Sequence, residues 1–263
     1  MDLGLRGKVA LVAAASKGLG RAIAEELARE GASIVMCART EDALNTARDE
    51  IAHATNAYVL AIAGDVSKPE DVANITRSAI DRFGRVDILV TNAGGPPSGK
   101  FESLSGEMWQ EAIDLTLMSV INLTSAVLPG MKERKWGRII NVTSIAVKQP
   151  VDGLMLSNSL RSAVTGFART LANEVASNGI TVNNILPGYT RTERVEQLSE
   201  ATAKREGISQ DAAIGRWESE IPMRRLGEPT EFAALAAFIA SERASYITGQ
   251  SIAVDGGWVK GLL

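Results

Sequence analysis

Seven short apolar runs alternate along the chain with longer segments in which apolar residues recur at helical spacing. Each run is continuous rather than alternating, as is typical of strands buried on both faces of a parallel sheet. The runs cover residues 8–14, 32–38, 57–65, 86–94, 137–144, 180–188 and 250–257. This alternation predicts an α/β fold of the doubly wound type, with a seven-stranded parallel sheet and helices on both faces.

The segment after the first run shows why a helix is expected there. In residues 20–31, Ile23 and Leu27 share one face with two alanines, and the charged side chains are turned mainly elsewhere. Gly31 follows as a helix stop, because glycine readily adopts the left-handed conformation that ends many helices. The pattern predicts one amphipathic helix packed on the sheet.

Two regions interrupt the alternation. Residues 91–107 are rich in glycine and proline, and residues 190–228 are long, charged and only weakly helical in pattern. A long insertion after a strand of such a sheet is usually a lid or a binding element, so we predict a substrate lid at about 190–228. A passive surface excursion is the alternative. Without repeats or linkers, residues 1–263 are interpreted as one domain.

Composition narrows the class of partner. The chain has 263 residues, 45% hydrophobic and 22% charged, with a net charge of −3 and no basic run. Nothing indicates a nucleic-acid surface, and no apolar stretch reaches the length of a membrane helix. The single cysteine, Cys37, excludes an intramolecular disulfide and favours a cytoplasmic location. No cluster has metal-ligand spacing, and His53 is expected to lie at the surface.

A glycine-containing turn follows the first predicted strand and opens the first helix. Gly18 and Gly20 let the backbone approach a pyrophosphate, and the helix N-terminus favours its negative charge. At this position of a doubly wound pattern, the turn predicts a dinucleotide-binding Rossmann fold. A plain tight turn is the alternative.

The end of the second strand indicates which dinucleotide is bound. An NAD enzyme usually has an acidic residue there, whereas this chain has Ala38 followed by Arg39. Together with Lys17 in the phosphate loop, Arg39 suits a 2′-phosphate. Glu41 and Asp42 are interpreted as the first turn of the next helix. NADP(H) is therefore favoured over NAD(H), unless Arg39 is simply a solvated surface charge.

From the phosphate loop to the last strand, the chain resembles the short-chain dehydrogenase/reductase family. The family's phosphate loop reads T-G-x-x-x-G-x-G, and this chain has Ala13, Ala14, Gly18 and Gly20 at the defined positions. The motifs GDVS, TNAG, NVTS, NNILPGYTRT and YITGQSIAVDGG continue the resemblance. It implies cofactor contacts at Ala14, Ser16, Lys17, Gly18, Leu19, Gly20, Arg39, Asp65, Val66, Asn92, Ala93, Gly94, Arg161, Pro187, Gly188, Thr190 and Thr192.

The same resemblance implies an altered catalytic group. The family uses a serine to hold the carbonyl oxygen, a tyrosine to transfer the proton, a lysine to bind ribose, and an asparagine to support a relay water. These positions correspond here to Ser144, Ser157, Arg161 and Thr116. Arg161 can donate hydrogen bonds to ribose but cannot relay a proton. Ser157 is a poor general acid compared with a phenol, whose pKa is about 10.

Two residues could compensate from the substrate pocket. Lys148 lies four residues after Ser144, and a partly desolvated ammonium there could donate a proton. Tyr189 follows the Pro-Gly turn and could line the pocket or supply a phenol. The alternatives, which we favour, are a solvated loop lysine and simple pocket packing.

Two functions remain open from the sequence. The first is an NADPH-dependent oxidoreductase that transfers hydride between nicotinamide and a small carbonyl or alcohol substrate, similar to 3-oxoacyl-acyl-carrier-protein reductases. The second is a dinucleotide-binding pseudoenzyme that acts as a sensor or scaffold. The family's dehalogenase branch shares an arginine at Arg161, but it keeps the tyrosine and loses the nucleotide site. The retained glycine loop and the missing tyrosine argue against that branch. The lid-like segment and Tyr189 at the pocket edge favour the enzyme over the pseudoenzyme.

The segment 107–131 predicts self-association. It is apolar on more than one face, whereas a helix that covers only its own sheet needs one apolar face. The surplus favours packing against a second subunit, as family members do in dimers and tetramers. Internal cover from a neighbouring loop is the alternative.

Overall fold

A computed structural model describes residues 2–262 as seven strands and nine α-helices. All strand pairs are parallel, in the order β3-β2-β1-β4-β5-β6-β7. The strands are β1 Val9–Ala13, β2 Ser33–Ala38, β3 Val59–Ala63, β4 Ile88–Thr91, β5 Gly137–Val142, β6 Ile180–Pro187 and β7 Ser251–Val254. Each strand lies within one of the predicted runs, so the prediction of a doubly wound, seven-stranded parallel sheet is confirmed.

The helices cover both faces of the sheet. They are α1 Gly18–Arg29, α2 Glu41–Thr55, α3 Pro69–Phe83, α4 Gly106–Ile113, α5 Ser119–Arg134, α6 Met155–Val175, α7 Glu193–Glu206, α8 Gln210–Glu220 and α9 Pro229–Ala240. Alternate residues of β1 point to opposite layers, because successive side chains of a strand face opposite sides. Ala10 and Val12 pack with α1, α2 and α9, whereas Val9 and Leu11 pack with α3, α5 and α6.

The first helix has the predicted face and stop. Its buried residues include Ile23 and Leu27 with the two alanines between and after them. The helix ends at Arg29, and Gly31 then has a φ of +90°, in the left-handed region. The helix α2 begins at Glu41, as expected from the acidic residues after β2.

A π-helical turn at Asp114–Met118 joins α4 and α5 into one helical stretch. Among the described residues, 106–134 is the one helical stretch that is long and apolar enough to span a membrane. Length and composition alone decide this, and the core helix of a globular protein meets the same criteria. Leu123, Val127 and Met131 are buried against the sheet, as in a core helix. Only 39% of its most apolar window is buried, which leaves the apolar surplus noted in the sequence.

The segment 190–228 is more regular than its sequence suggests. The expectation of weak helicity is wrong, because α7 and α8 are both regular helices. Their periodicity is obscured since α7 buries only Val195 and Ser199, and α8 only Ala213. The two ends of the segment meet where Thr190 bridges to Gly227, just before α9 begins.

Candidate functional site

The phosphate loop lies between β1 and α1 at the carboxyl edge of the sheet. Ala14 has a φ of +49°, a conformation that is strained for any residue with a Cβ atom. The next residue, Ala15, donates its N–H to the carbonyl of Cys37 at 3.1 Å, which fixes the loop against β2. Ser16 and Leu19 are half-buried in the same turn.

Gly20 allows α1 to pack directly on this loop. A Cβ atom at Gly20 would collide with the Ala14 carbonyl oxygen and would lie 2.9 Å from Nδ2 of Asn92. The helix start therefore touches both the β1 turn and the segment after β4. The structure brings Ala14, Gly20 and Asn92 together, as the predicted dinucleotide site requires.

The phosphate loop also contacts the start of α7. A Cβ atom at Gly18 would lie 3.6 Å from Thr192, and the Lys17 ammonium forms an ion pair with Glu193. The ion pair was not expected from the sequence, because its partners are 176 positions apart. Arg39, in contrast, is exposed directly after β2 and forms no ion pair with residues 2–262.

Asp65 and Val66 follow β3 at the same edge. The Oδ1 atom of Asp65 accepts hydrogen bonds from the backbone N–H and the hydroxyl of Ser67, at 3.0 and 2.8 Å. These bonds orient the carboxylate and involve only one of its oxygens. The next residue, Val66, is buried.

Backbone packing also fixes the turn after β6. Gly188 packs against β7, since a Cβ atom there would lie 2.7 Å from Cα of Asp255. Thr190 is buried and accepts a hydrogen bond at its carbonyl from the Thr192 hydroxyl at 3.2 Å. Pro187 ends β6, so these residues lie at the carboxyl edge with the phosphate loop.

Ser144 and Ser157 lie on two elements that pack together. Ser144 caps a 3₁₀ turn at Ile145–Val147, and its Oγ accepts the N–H of Ala146 at 3.1 Å. Its own hydroxyl proton is left to donate elsewhere. The turn packs on α6, where Ser157 is only 8% exposed.

Arg161 and Thr116 line one small cavity. Nη1 of Arg161 donates to the Val142 carbonyl at 2.7 Å, at the end of β5. Burial lowers the pKa of Arg161 to about 10, and the positive charge of Arg194 adds to the effect. Thr116 is buried and its hydroxyl has no partner within residues 2–262. The cavity, about 10 Å³, is also lined by Thr91, Asn92, Ala93, Ser119, Val120, Val142, Thr143 and Val164.

Gly94 and Gly95 follow in the segment after β4, and Arg194 reaches them from α7. Nη2 of Arg194 donates to the Pro96 carbonyl at 3.0 Å, and its guanidinium lies over Gly95. Burial lowers the pKa of Arg194. Sequence reasoning missed Arg194, because its contact lies 98 positions away and no local motif marks it.

Tyr189 belongs to an aromatic cluster with two tryptophans. Its ring stacks on Trp217 at a centroid distance of 4.6 Å and meets the edge of Trp258 at 5.9 Å. Burial, with a smaller effect from Glu220, raises the pKa of Tyr189 to about 12. The geometry favours the pocket-packing interpretation over the phenol donor.

Lys148 does not have the environment of a desolvated proton donor. It is exposed at the end of the 3₁₀ turn, so the premise of partial desolvation is wrong. His53 is exposed near the end of α2, and Cys37 is a buried thiol whose pKa burial raises to about 12. Residues 2–262 contain no group of three or more His, Cys, Asp or Glu side chains that could hold a metal ion.

Comparison with known proteins gives consistent matches over nearly the whole chain. The family described as enoyl-(acyl carrier protein) reductase matches residues 13–259. The 3-oxoacyl-(acyl-carrier-protein) reductase FabG of Vibrio cholerae is 36% identical over 255 residues, covering 97% of this chain and 98% of that protein. The D-beta-hydroxybutyrate dehydrogenase of Rhizobium meliloti is 35% identical over 261 residues, covering 95% and 98%.

Solved structures of a reductase and a dehydrogenase are also similar to the chain over its whole length. L-Sorbose reductase from Gluconobacter frateurii, complexed with NADPH and L-sorbose, has a TM-score of 0.95 at 36% identity, with both chains fully covered. A 7α-hydroxysteroid dehydrogenase complexed with NADH has a TM-score of 0.90 at 30% identity, covering 100% of this chain and 98% of that one.

Proposed function

The chain belongs to the short-chain dehydrogenase/reductase family, and on that premise we propose that it is an NADPH-dependent oxidoreductase acting on a small carbonyl or alcohol. One observation carries the proposal. The phosphate loop and the Ser144 hydroxyl lie at the same carboxyl edge of one parallel sheet, where such folds bind nucleotides. The names of the relatives include an oxoacyl reductase, a hydroxy acid dehydrogenase and a sugar reductase, and support this reaction class.

The residues at the nucleotide side fit a dinucleotide. Gly20 brings the N-terminus of α1 against the loop, and one oxygen of Asp65 takes no part in the bonds from Ser67. Arg39, exposed and without an ion pair in the described chain, supports NADP(H) over NAD(H). Lys17 can contribute only after it exchanges Glu193 for phosphate, so Arg39 is the main determinant of the preference.

The bound cofactor supplies or accepts the hydride, and the chain supplies the orientation. Ser144 donates its hydroxyl proton to the substrate oxygen as negative charge develops there. Arg161 donates to the ribose hydroxyls and stays charged. Ser157 adds a second hydroxyl near the substrate oxygen but is not the proton source. Since Lys148 is exposed, water supplies the proton, and turnover on simple ketones is slow.

A screen of carbonyls and alcohols, following NADPH absorbance with purified protein, tests the activity. Fluorescence titration with NADPH and NADH tests the cofactor preference, and Arg39→Asp is expected to reverse it because a carboxylate repels the 2′-phosphate. Arg77→Asp, an exposed charge reversal on α3, is the matched control and should change neither affinity. Equal affinities of the parent protein for both cofactors would contradict the preference.

A pseudoenzyme is the second candidate, and one observation favours it. No phenol is present at Ser157, and the hydroxyl of Thr116 has no partner within residues 2–262, so an intact proton relay is absent from this group. Such a protein would bind NADPH tightly and reduce nothing in the screen. That result would replace the enzyme with a sensor or scaffold.

The proposal includes a homo-oligomer, a dimer or tetramer, in the cytoplasm. The apolar surplus of the helical stretch 106–134 supports the assembly, and the lone buried thiol of Cys37 supports the location. A monomer mass by light scattering at micromolar concentration would exclude the oligomer.

A further inference from the structure

Arg161 and Arg194 stand out among the charges of the molecule. Each donates a hydrogen bond to a single backbone carbonyl, of Val142 and Pro96 respectively. Neither forms an ion pair with a carboxylate of residues 2–262. Of the five other arginines in the segment 190–228, the exposed Arg224 donates to a backbone carbonyl and the rest have acidic partners: Arg191, Arg205, Arg216 and Arg225.

Both guanidinium groups lie beside the segment after β4, since Arg161 lines a cavity with Asn92 and Ala93, and Arg194 lies over Gly95. Burial lowers the pKa of both, and the charge of Arg194 lowers the pKa of Arg161 further. Two like charges removed from water are costly unless an opposite charge joins them. Each arginine has five N–H donors and uses one in a hydrogen bond to the described chain. Each guanidinium therefore keeps free donors with which it can bind an anion.

We propose that Arg194 binds an anionic group of the substrate, while Arg161 beside it keeps its bonds to ribose, so that the substrate is a short oxo acid or its hydroxy acid. This inference rests on the proposed function and specifies its substrate class. A carboxylate offers two oxygens to the planar fork of a guanidinium, which makes arginine the residue suited to it.

The position of Arg194 assigns the anion to the substrate rather than to the cofactor. Neighbouring residues of α7 point to different partners: Glu193 contacts Lys17 of the phosphate loop, whereas Arg194 contacts the segment after β4. The pyrophosphate is expected at the phosphate loop and the 2′-phosphate at Arg39. Arg194 is therefore left for a third negative charge.

The length of the substrate follows from β5. Arg161 is anchored to the carbonyl of Val142, and Ser144 comes two residues later, a span of at most ~7 Å of extended chain. The anchor of Arg161 and the Ser144 hydroxyl therefore belong to one short stretch of chain, which suits a substrate whose carboxylate lies near its carbonyl. A 2-oxo or 3-oxo acid has this spacing, and a long-chain acid with a distant carboxylate does not.

Gly95 provides an independent way to move Arg194 without removing its charge. A Cβ atom at Gly95 would lie 2.7 Å from Nη2 of Arg194, so alanine must displace the guanidinium. If Arg194 binds the substrate anion, Gly95→Ala and Arg194→Gln should have the same qualitative effect. If the charge alone mattered, Gly95→Ala would be silent.

Calorimetric titration of the NADPH-loaded protein with 2-hydroxybutanoate, 3-hydroxybutanoate and their methyl esters tests the proposal. Cofactor and ligand are then both reduced, so binding is measured without turnover. The parent should bind at least one acid about 10-fold more tightly than its ester. Arg194→Gln should weaken acid binding about 10- to 100-fold, as expected for a charge-assisted hydrogen bond, and leave ester binding unchanged.

Arg191→Gln is the matched control, because it removes a charge from the same segment at an exposed, ion-paired position. It should leave acid binding unchanged. Equal losses of acid and ester binding in Arg194→Gln would show a structural contact between α7 and the β4 segment, and would overturn the proposal. A loss of NADPH affinity with unchanged acid binding would assign the anion to the cofactor and overturn it as well.

The proposed function and this inference fail in different ways. If the parent binds no NADPH, the oxidoreductase proposal fails, and titration of the cofactor-free protein with the acids still tests Arg194. If NADPH binds but esters bind as well as acids, only the inference fails. Where the protein turns over an oxo acid, Arg194→Gln should raise KM for the acid more than it lowers kcat.

Discussion

The site has two sides: a nucleotide side at the phosphate loop and a reaction side at Thr116 and Arg161. Glycines allow close backbone packing at the nucleotide side, whereas the reaction side carries polar side chains with few protein partners. Gly20 brings α1 against the Ala14 carbonyl, and Gly18 admits Thr192. On the reaction side, the Thr116 hydroxyl has no partner and Arg161 has no acidic one within residues 2–262. The nucleotide side is therefore fixed by steric fit, whereas the reaction side holds a charge and a hydroxyl without such partners in the described chain.

This difference predicts which substitutions matter at each side. Added atoms should damage the nucleotide side, because its backbone contacts leave no space. Exchanged functional groups should alter the reaction side, because its chemistry depends on which donors are present. The following predictions test that contrast, from the largest expected effect to the smallest.

The double substitution Ser157→Tyr with Arg161→Lys should have the largest effect. It restores a phenol beside an ammonium, and general acid catalysis is typically worth ~10²–10⁴-fold in rate. Measured as kcat on the best carbonyl from the screen, reductase activity should rise toward that range unless Thr116 limits the relay. Ser144→Ala should lower turnover in either background.

A matched control makes the same two exchanges on the exposed face of α6, as Ser162→Tyr with Arg169→Lys. It should give no gain. If the Ser157→Tyr, Arg161→Lys protein binds NADPH but shows no turnover, the prediction is contradicted. The loss of activity would then not be explained by the missing proton donor alone.

Gly20→Ala tests the nucleotide side. The new methyl group meets the Ala14 carbonyl and the Asn92 amide, and such overpacking typically costs ~1–3 kcal/mol of stability. Urea unfolding should show that loss, and NADPH affinity should fall. Gly166→Ala, at an exposed position of α6 where a Cβ atom meets nothing within 4 Å, should instead stabilise by ~0.5–1 kcal/mol. Similar changes in both variants would refute the steric account.

The sequence predicts features that depend on neighbouring residues and misses those that depend on contacts between distant residues. The strands are visible because buried parallel strands are continuously apolar, and the phosphate loop because its glycines are local in sequence. Neither Arg194 nor the Lys17–Glu193 ion pair is visible, since each depends on a contact between distant parts of the chain. The helices α7 and α8 escaped notice because they bury few residues.

The pH dependence of stability at alkaline pH tests the environment of the Tyr189 phenol. Its pKa is about 12 in the folded protein, against about 10 in an unfolded chain. Between these values the folded state keeps a proton that the unfolded state releases. Stability contributed by Tyr189 is therefore present below pH 10 and lost toward pH 12, by at most ~1.4 kcal/mol per pH unit.

Urea unfolding between pH 10 and pH 12 should thus show a shallower decline in Tyr189→Phe than in the parent. Tyr246→Phe, at a fully exposed tyrosine, serves as the control and should follow the parent. Parallel declines in all three proteins would mean that the Tyr189 phenol is not held neutral by its surroundings.

The smallest expected effect concerns Ala14. Its left-handed backbone costs a residue with a Cβ atom ~1–2 kcal/mol, and part of the relief on mutation is offset by the greater freedom of glycine in the unfolded chain. Ala14→Gly should therefore raise the free energy of unfolding by about 0.5 kcal/mol. The adjacent Ala15→Gly should lower it, and thermal unfolding of both variants checks the opposite signs.

The aromatic cluster around Tyr189 also provides intrinsic tryptophan fluorescence as a probe of this region. Of the protein's four tryptophans, Trp217 and Trp258 lie in this cluster, whereas Trp136 contacts the cations of Lys8 and Arg138, 3.7 and 4.4 Å from its ring centre. Indole emission depends on neighbouring charges and on exposure to water. Two of the intrinsic fluorophores therefore report directly on events beside α8, and no label is required.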